Sequence, residues 1–363
     1  MLNRDLVIIG GGPAGLTAAI IAAEAGQSSL IIDRNRNLGG QLIKQTHMFF
    51  GSGQMFAKTR GINIANKLIE EARKSELIEI WNEATVVGLY DDKVVTILKK
   101  DKPNNKYLKV QAKAIIVATG ASEKVLTFEN NDLPGIFGAG AVQTLMNVYG
   151  VKPGNNIVMV GSGNIGLIVS YQLMQAGVNV IAVIEAAPTI GGYKVHASKL
   201  RRLEIDILPS TTIKKAYGTD HVTSISTIKL DEKWNEIEGT ENFYEVDAVC
   251  IAVGLTPLSS ILSMVGCKMK YIPQLGGLVP IIDYNHMTNI PGIYACGDVV
   301  GIEEATSAIV EGYLTGLNVA KYLGKTHPQY DELIEKYNNE LRILRSGPFG
   351  EKIRAGLLRM EER

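Results

Sequence analysis

Apolar residues gather along this chain in short runs, and one arrangement of runs and breaks occurs twice. Near the start, Asp5–Gly10 (DLVIIG) leads into an Ala-, Ile- and Leu-rich stretch, Ala14–Ala25, that stops at Gly26; Leu30–Ile32 follows and ends at Asp33. In the middle, Asn156–Gly161 (NIVMVG) leads into Ile165–Ala176, which stops at Gly177; Val180–Ile184 follows and ends at Glu185. Continuous apolar runs without alternation predict strands buried on both faces. The longer stretches between them predict helices ended by glycine. Strand–helix–strand repeated in this way predicts an α/β protein with two Rossmann-like domains.

Other segments fit that frame. Ile115–Gly120 (IIVATG) and Gly292–Asp298 (GIYACGD) read as short buried strands ending in small-residue turns, and a helix is expected from Glu303 to Leu323. Hydrophilic Lys99–Lys106 reads as an exposed hairpin loop. The tail from Pro328 to Arg363 is rich in charge, with Leu333, Ile334, Tyr337, Leu341 and Leu344 at near-helical spacing. Such an amphipathic helix either caps its own domain or seals a homo-oligomer or heteromer.

The breaks carry the chemistry. Gly10, Gly12 and Gly15 form one GxGxxG, and Gly161, Gly163 and Gly166 form another. In each, the first glycine permits a tight turn, the second lets backbone approach a pyrophosphate, and the third lets the helix pack on the strand. Pro13 and Ala14, and Asn164 and Ile165, open helices whose free N–H groups suit phosphate. Asp33 (with Arg34 beside it) and Glu185 lie about 20 residues further on, where an acid accepts bonds from ribose hydroxyls. Ala186 and Ala187 replace the basic residues that a 2′-phosphate would require, so the second site should prefer NAD(H). Ala118, Thr119 and Gly120, Gly297 and Asp298, and Ala305 and Thr306 at the next helix start assign the first site to FAD, because a helix N-terminus stabilises charge on a reduced flavin.

Composition narrows the class. Lys plus Arg equals Asp plus Glu at 37 each in 363 residues, so no basic excess points to nucleic acid or an anionic membrane. No run is long and apolar enough to span a bilayer, and the first strand begins too early for a signal peptide, so a soluble cytoplasmic protein is expected. Cys250, Cys267 and Cys296 form neither CxxC nor CxxxxC, and the five histidines are scattered. Neither a disulfide framework nor a metal site is expected.

This set of motifs resembles the two-dinucleotide-binding-domain flavoproteins, and among them the thioredoxin-reductase-like branch. Gly39–Leu42 (GGQL, with Gly40 and Gln41) is similar to that branch's loop beneath the flavin, Ala118–Gly120 to its ATG turn, and Ala252–Pro257 (AVGLTP, with Gly254) to its return crossover. The resemblance implies a discontinuous FAD domain, residues 1–122 and 266–327, with an NAD(H) domain, 123–265, inserted and a helical tail, 328–363. The branch's redox cysteines are missing, so disulfide reduction is not expected. Leu133–Leu145 (LPGIFGAGAVQTL) and Gly297–Gly312 are similar to the alpha-type subunits of sarcosine oxidase, hydrogen cyanide synthase and dye-linked proline dehydrogenase. That likeness implies a possible partner, a second flavin or iron–sulfur subunit.

The expected activity is transfer of a hydride between NAD(H) and FAD, with electrons passing to or from a second substrate or partner; the alternative is an electron-relay subunit of an amine or imino-acid dehydrogenase. Lys44, Thr46 and His47 follow the GGQL loop and are the candidate flavin-bordering catalytic residues, although a plain loop histidine fits His47 as well. Phe49 and Phe50 fit either a ring face or the core. Tyr193, Lys194 and His196 in GGYKVH fit a nucleotide contact, a partner contact or a solvated helix start.

Overall fold

A computed structural model describes residues 1–49 and 55–361; Phe50 and the last two tail residues lie outside them. The chain divides into two compact units, Met1–Ser122 with Thr256–Arg363, and Glu123–Leu255.

The first unit begins with β1 (Leu2–Ile9), α1 (Pro13–Glu24) and β2 (Ser29–Ile32), then α2 (Gly61–Lys74), β3 (Ile78–Trp81), β4 (Ala84–Leu89), β5 (Val94–Lys99) and β6 (Lys106–Val117). Its sheet runs β3-β2-β1-β6-β5-β4, and strand Ile293–Ala295 from late in the chain also pairs with β6. The β3-β2-β1-β6 pairs and the late strand are parallel, with Ile8 opposite both Ile31 and Ile116; β4, β5 and the start of β6 are antiparallel. The hydrophilic stretch after Lys99 joins the β5–β6 hairpin.

Continuous apolar runs are needed because both faces are covered. Leu6, Ile8, Ile31, Ala114 and Ile116 enter one core cluster, and Val7, Ile9, Leu30, Ile32, Ile115 and Val117 enter another. Side chains alternate faces along a strand, so one apolar run supplies two cores. Each buried Ile or Leu contributes roughly 1.5–3 kcal/mol. On one face α1 packs against the helix Ala305–Tyr322 so closely that its partner must carry glycine. A Cβ at Gly312 would stand 2.1 Å from Thr17 Oγ1, and one at Gly316 would stand 2.4 Å from the Ala18 oxygen. The Thr17 hydroxyl donates to the Ile309 carbonyl at 2.9 Å.

The unit differs from the sequence-based boundaries at two places. Residues 256–265 group with it, since Leu262 and Val265 are buried with Trp81 and Thr119 Oγ1 donates to the Leu258 oxygen. The tail groups with it too. Helix Tyr330–Leu344 turns Leu333, Ile334, Tyr337, Leu341 and Leu344 onto Ile21, Val310 and Leu314, with Tyr337 stacked 4.8 Å from Tyr313. The last helix, Gly347–Glu361, buries Ile353 and Met360 in the second cluster. The tail's apolar stripe therefore packs on its own unit.

The second unit repeats the design. A five-stranded parallel sheet runs Asp206–Leu208, Asn179–Ile184, Asn156–Val160, Ala248–Ile251 and Ile136–Gly138. Ile157 and Met159 enter one cluster, Val158 and Val160 the other. Helix Asn164–Gln175 follows the middle strand, and Thr211–Tyr217, Ser224–Lys229 and Asn242–Glu245 form a separate antiparallel sheet. Among the described residues, no helix is long and apolar enough to cross a membrane.

Candidate functional site

β1 brings the chain to Gly10, whose φ of +111° favours glycine. A Cβ there would sit 2.3 Å from the Ala118 carbonyl oxygen, and one at Gly15 would sit 1.9 Å from the Gly10 oxygen. These two glycines let the turn close against β6 and let α1 start at once. Gly12 is different. A Cβ there would meet only the Gly40 Cα, at 3.8 Å. No side chain caps α1, which starts at Pro13, so the open point lies at the positive end of a helix. Asp33 is almost fully buried; its Oδ2 accepts from the Gly11 N–H at 2.7 Å and its Oδ1 from the Asn35 N–H at 2.7 Å. The carboxylate thereby fixes the middle of the glycine turn and still has lone pairs for a further donor. The Gly39 N–H donates to the Gly11 oxygen at 2.7 Å, which brings Gly40 over the same turn.

The second unit reproduces this set. Gly161 has φ +104°, and its Cβ would lie 2.4 Å from the Ala252 oxygen; a Cβ at Gly166 would lie 2.1 Å from the Gly161 oxygen. At Gly163 a Cβ would meet nothing within 4 Å. Helix Asn164–Gln175 again lacks a side-chain cap. Glu185 Oε2 accepts from the Ser162 N–H at 2.8 Å and from its hydroxyl at 2.7 Å, while Oε1 accepts from the Ala187 N–H at 2.9 Å. Even the loop over the turn recurs. The Gly192 N–H donates to the Ser162 oxygen at 2.9 Å, and the Tyr193 N–H to Asn164 Oδ1 at 2.8 Å.

The far end of the first cradle is built by late residues. Gly297 lies at φ +76°, where a Cβ would stand 3.0 Å from the Ala14 Cβ in the first turn of α1. The Gly297 N–H donates to Glu311 Oε2 at 2.7 Å, and the Glu303 N–H to Asp298 Oδ1 at 3.4 Å. Burial pushes the Asp298 carboxyl up to about 7. Burial also raises Glu303 and Glu311, and the Arg345 guanidinium between them opposes that rise.

The remaining sequence-predicted residues are placed as follows. Thr306 is buried in the first turn of the helix that Ala305 opens. Gly120, at φ +71°, accepts from the Leu258 N–H. Arg34 and Gln41 are exposed; Lys44, Thr46 and His47 are half-buried in the segment after Gly40, and His47 stacks 5.7 Å from Phe49, which belongs to the core. In the second unit Ile165 and Gly254 are exposed, with Gly254 at φ +116° accepting from the Lys124 N–H. Lys194 is exposed, and His196 is buried 6.1 Å from Tyr193, its pKa lowered by burial. Cys250, Cys267 and Cys296 are buried free thiols, each raised by burial, so each resists ionisation. Sequence reasoning missed Ser162, Glu311 and Arg345. A GG-x loop follows both acids, at Gly39–Gln41 and Gly191–Tyr193, and this shared spacing was the available signal for a repeat that extends past the glycines.

Residues 4–312 match the pyridine nucleotide-disulphide oxidoreductase family. An opine oxidase subunit of Agrobacterium tumefaciens (strain Ach5) is 25% identical over 336 residues, which is 86% of this chain and 64% of that protein. The sarcosine oxidase alpha subunit of Rhizobium meliloti (strain 1021) is 28% identical over 265 residues, 70% of this chain and 24% of that one. This chain therefore spans from a quarter to just under two-thirds of these relatives. Among solved structures, T. acidophilum thioredoxin reductase aligns with a TM-score of 0.71 at 23% identity, covering 88% of this chain and 99% of that chain. L-proline dehydrogenase from P. horikoshii aligns at 0.68 and 24% identity, covering 92% and 59%. At these identities the structural likeness concerns the fold.

Proposed function

The chain belongs to the pyridine nucleotide-disulphide oxidoreductase family and is an oxidoreductase, and we propose that it passes a hydride between NAD(H), held by the second unit, and FAD, held by the first. A second substrate or partner then supplies or takes the electrons. The observation that carries this is the doubled cradle: each unit has a closed turn at Gly10 or Gly161, an open point at Gly12 or Gly163, and an acid bonded to the turn. Two such cradles in one chain fit two dinucleotides.

The residues fit the assigned groups. Backbone at Gly12 and Gly163 would lie against the pyrophosphates, and Asp33 and Glu185 would accept from ribose hydroxyls. Gly297, Asp298 and the start of the helix Ala305–Tyr322 would hold the flavin end of the first nucleotide. Bound flavin supplies the two-electron chemistry. The chain's task is to bind, align and exclude water. Lys44, Thr46 and His47 are proposed to border the ring, with Lys44 favouring a reduced anionic form by its charge. With its cysteines buried, the chain offers no thiol pair to carry electrons onward.

One observation favours a second reading. The opine oxidase and sarcosine oxidase relatives are named as subunits, and this chain spans only part of each of those two. In that reading the chain is the electron-relay subunit of a heteromeric amine or imino-acid dehydrogenase, and the organic substrate is oxidised on the partner. Anaerobic titration of the purified chain with NADH separates the two. Loss of absorbance near about 450 nm, from the oxidised isoalloxazine, supports direct hydride transfer. A yellow protein that ignores NADH supports the partner-dependent reading, and a chain that cannot be loaded with FAD refutes the cofactor assignment.

A further inference from the structure

The C-terminal segment contributes a cation to the far end of the first cradle. Arg345 follows the helix Tyr330–Leu344; its Nη2 donates to Glu311 Oε1 at 2.5 Å and to Glu303 Oε1 at 2.6 Å, and its Nε to both Glu303 oxygens at 3.1 Å. The three side chains are 16%, 9% and 10% exposed for Arg345, Glu311 and Glu303, so little water screens them. Glu311 spends its other oxygen on the Gly297 N–H, and Glu303 contributes its own N–H to Asp298. The run from Gly297 to Glu303 is thus tied at one end by a side chain and at the other by a backbone, both belonging to acids that share one guanidinium. Gly297 in turn rests on Ala14, in the first turn of α1.

A buried ion pair is weak grounds for stability, because desolvation offsets attraction. Geometry is the stronger function here. A guanidinium presents a planar fork that can serve two carboxylates at fixed angles. Without it, two acids would face each other beside Asp298 in a poorly solvated place, and one would take up a proton or swing toward water. Either change loosens the hold on Gly297.

We infer that Arg345 is a positioning residue: it aligns Glu303 and Glu311 so that the Gly297–Glu303 run takes the shape that receives the flavin end of the nucleotide. This rests on the proposed reading that the first unit holds FAD. Nothing in the inference requires Arg345 to touch the cofactor.

The test uses the full chain as wild type, Arg345→Met, Arg345→Lys and the triple variant Arg345→Met with Glu303→Gln and Glu311→Gln. Two quantities are measured: backbone hydrogen exchange across residues 297–305 without ligand, and FAD affinity on titration into the deflavinated chain. For Arg345→Met, exchange in this run should rise about tenfold and FAD binding should weaken about tenfold, as expected when a buried charge partner is removed. Exchange inside α1 should not change. Arg345→Lys should fall between, since an ammonium lacks the fork. The triple variant should recover affinity over Arg345→Met, because neutral amides need no cation and the amide that replaces the Glu311 carboxylate can still accept from the Gly297 N–H. Unchanged exchange in Arg345→Met overturns the inference, as does faster exchange with unaltered FAD affinity, or a triple variant no better than the single. A wild-type chain that binds no FAD overturns the cofactor reading, and this inference with it.

Discussion

Glu185 accepts both the backbone N–H and the hydroxyl of Ser162, at 2.8 and 2.7 Å. The carboxylate is thereby held on the glycine turn, at the position proposed to meet the ribose of NAD(H). In the first unit Asp33 makes the backbone half of this contact with Gly11, which has no hydroxyl to add the other half. The second unit thus holds its acid more firmly.

A preference between the two nicotinamide dinucleotides is expected from that carboxylate. A 2′-phosphate would meet Glu185 with no basic residue at Ala186 or Ala187 to offset it. NADH should bind at least about tenfold more tightly than NADPH, given the cost of like charges at close range. Glu185→Gln combined with Ala187→Arg should narrow the difference. Fluorescence titration with the two nucleotides reads it, and equal affinities in the wild type would count against the proposed second site.

The open points at Gly12 and Gly163 predict variants that fold and yet fail to bind. Both glycines have ordinary extended backbone, and a methyl group meets little protein at either. Gly163→Ala should keep the melting temperature within about 2 °C, while NADH affinity drops by more than about tenfold because backbone can no longer approach a pyrophosphate. Gly12→Ala should do the same to FAD retention and leave NADH binding alone. Loss of both ligands in either variant would mean that the two cradles are not independent.

Gly312 is the opposite case. A methyl group there would press into Thr17 Oγ1 and the Ala14 oxygen at 2.1 and 2.3 Å. Gly312→Ala should destabilise the first unit by about 1–3 kcal/mol, the range for overpacking a close contact. Urea unfolding followed by circular dichroism measures it, and a midpoint equal to wild type would refute the packing.

Asp298 gives the ligand-free chain a pH dependence whose sign is fixed. Its folded carboxyl is raised from 3.8 to about 7, so the folded state keeps a proton that the unfolded state releases. Stability from this group is full below about pH 4 and is lost as pH climbs toward 7. Asp298→Asn stays neutral throughout, so it should gain on wild type between about pH 4 and 7. The gap in melting temperature should open by on the order of 4 °C. Parallel curves for the two proteins would show that Asp298 is ionised at little cost.

The doubled cradle was legible in the sequence because its causes are local. The clashes that demand glycine at Gly10, Gly15, Gly161 and Gly166 recur at the same short spacing in each copy, and helix starts and stops follow from neighbouring residues. Arg345 was not legible, since its partners stand 34 and 42 residues earlier and a basic residue at the end of an amphipathic helix reads as solvated. The tail's destination was open for a related reason: a stripe of Leu333, Ile334, Tyr337, Leu341 and Leu344 says that something is covered, and only the stack on Tyr313 says what. Residues 256–265 were assigned to the inserted domain because a strand-and-turn pattern cannot reveal that Leu262 and Val265 enter the core beside Trp81.

The close seam between α1 and Gly312 and Gly316 has a consequence for biosynthesis. Translation delivers α1 long before its seat, which arrives only with the helix Ala305–Tyr322. In between, the whole contiguous stretch Glu123–Leu255, with its own apolar clusters, has left the ribosome and can mature alone. The unit built from the two flanking segments therefore ripens after the one inserted between them, and until then an almost wholly apolar helix waits without its mate, a natural client for a chaperone.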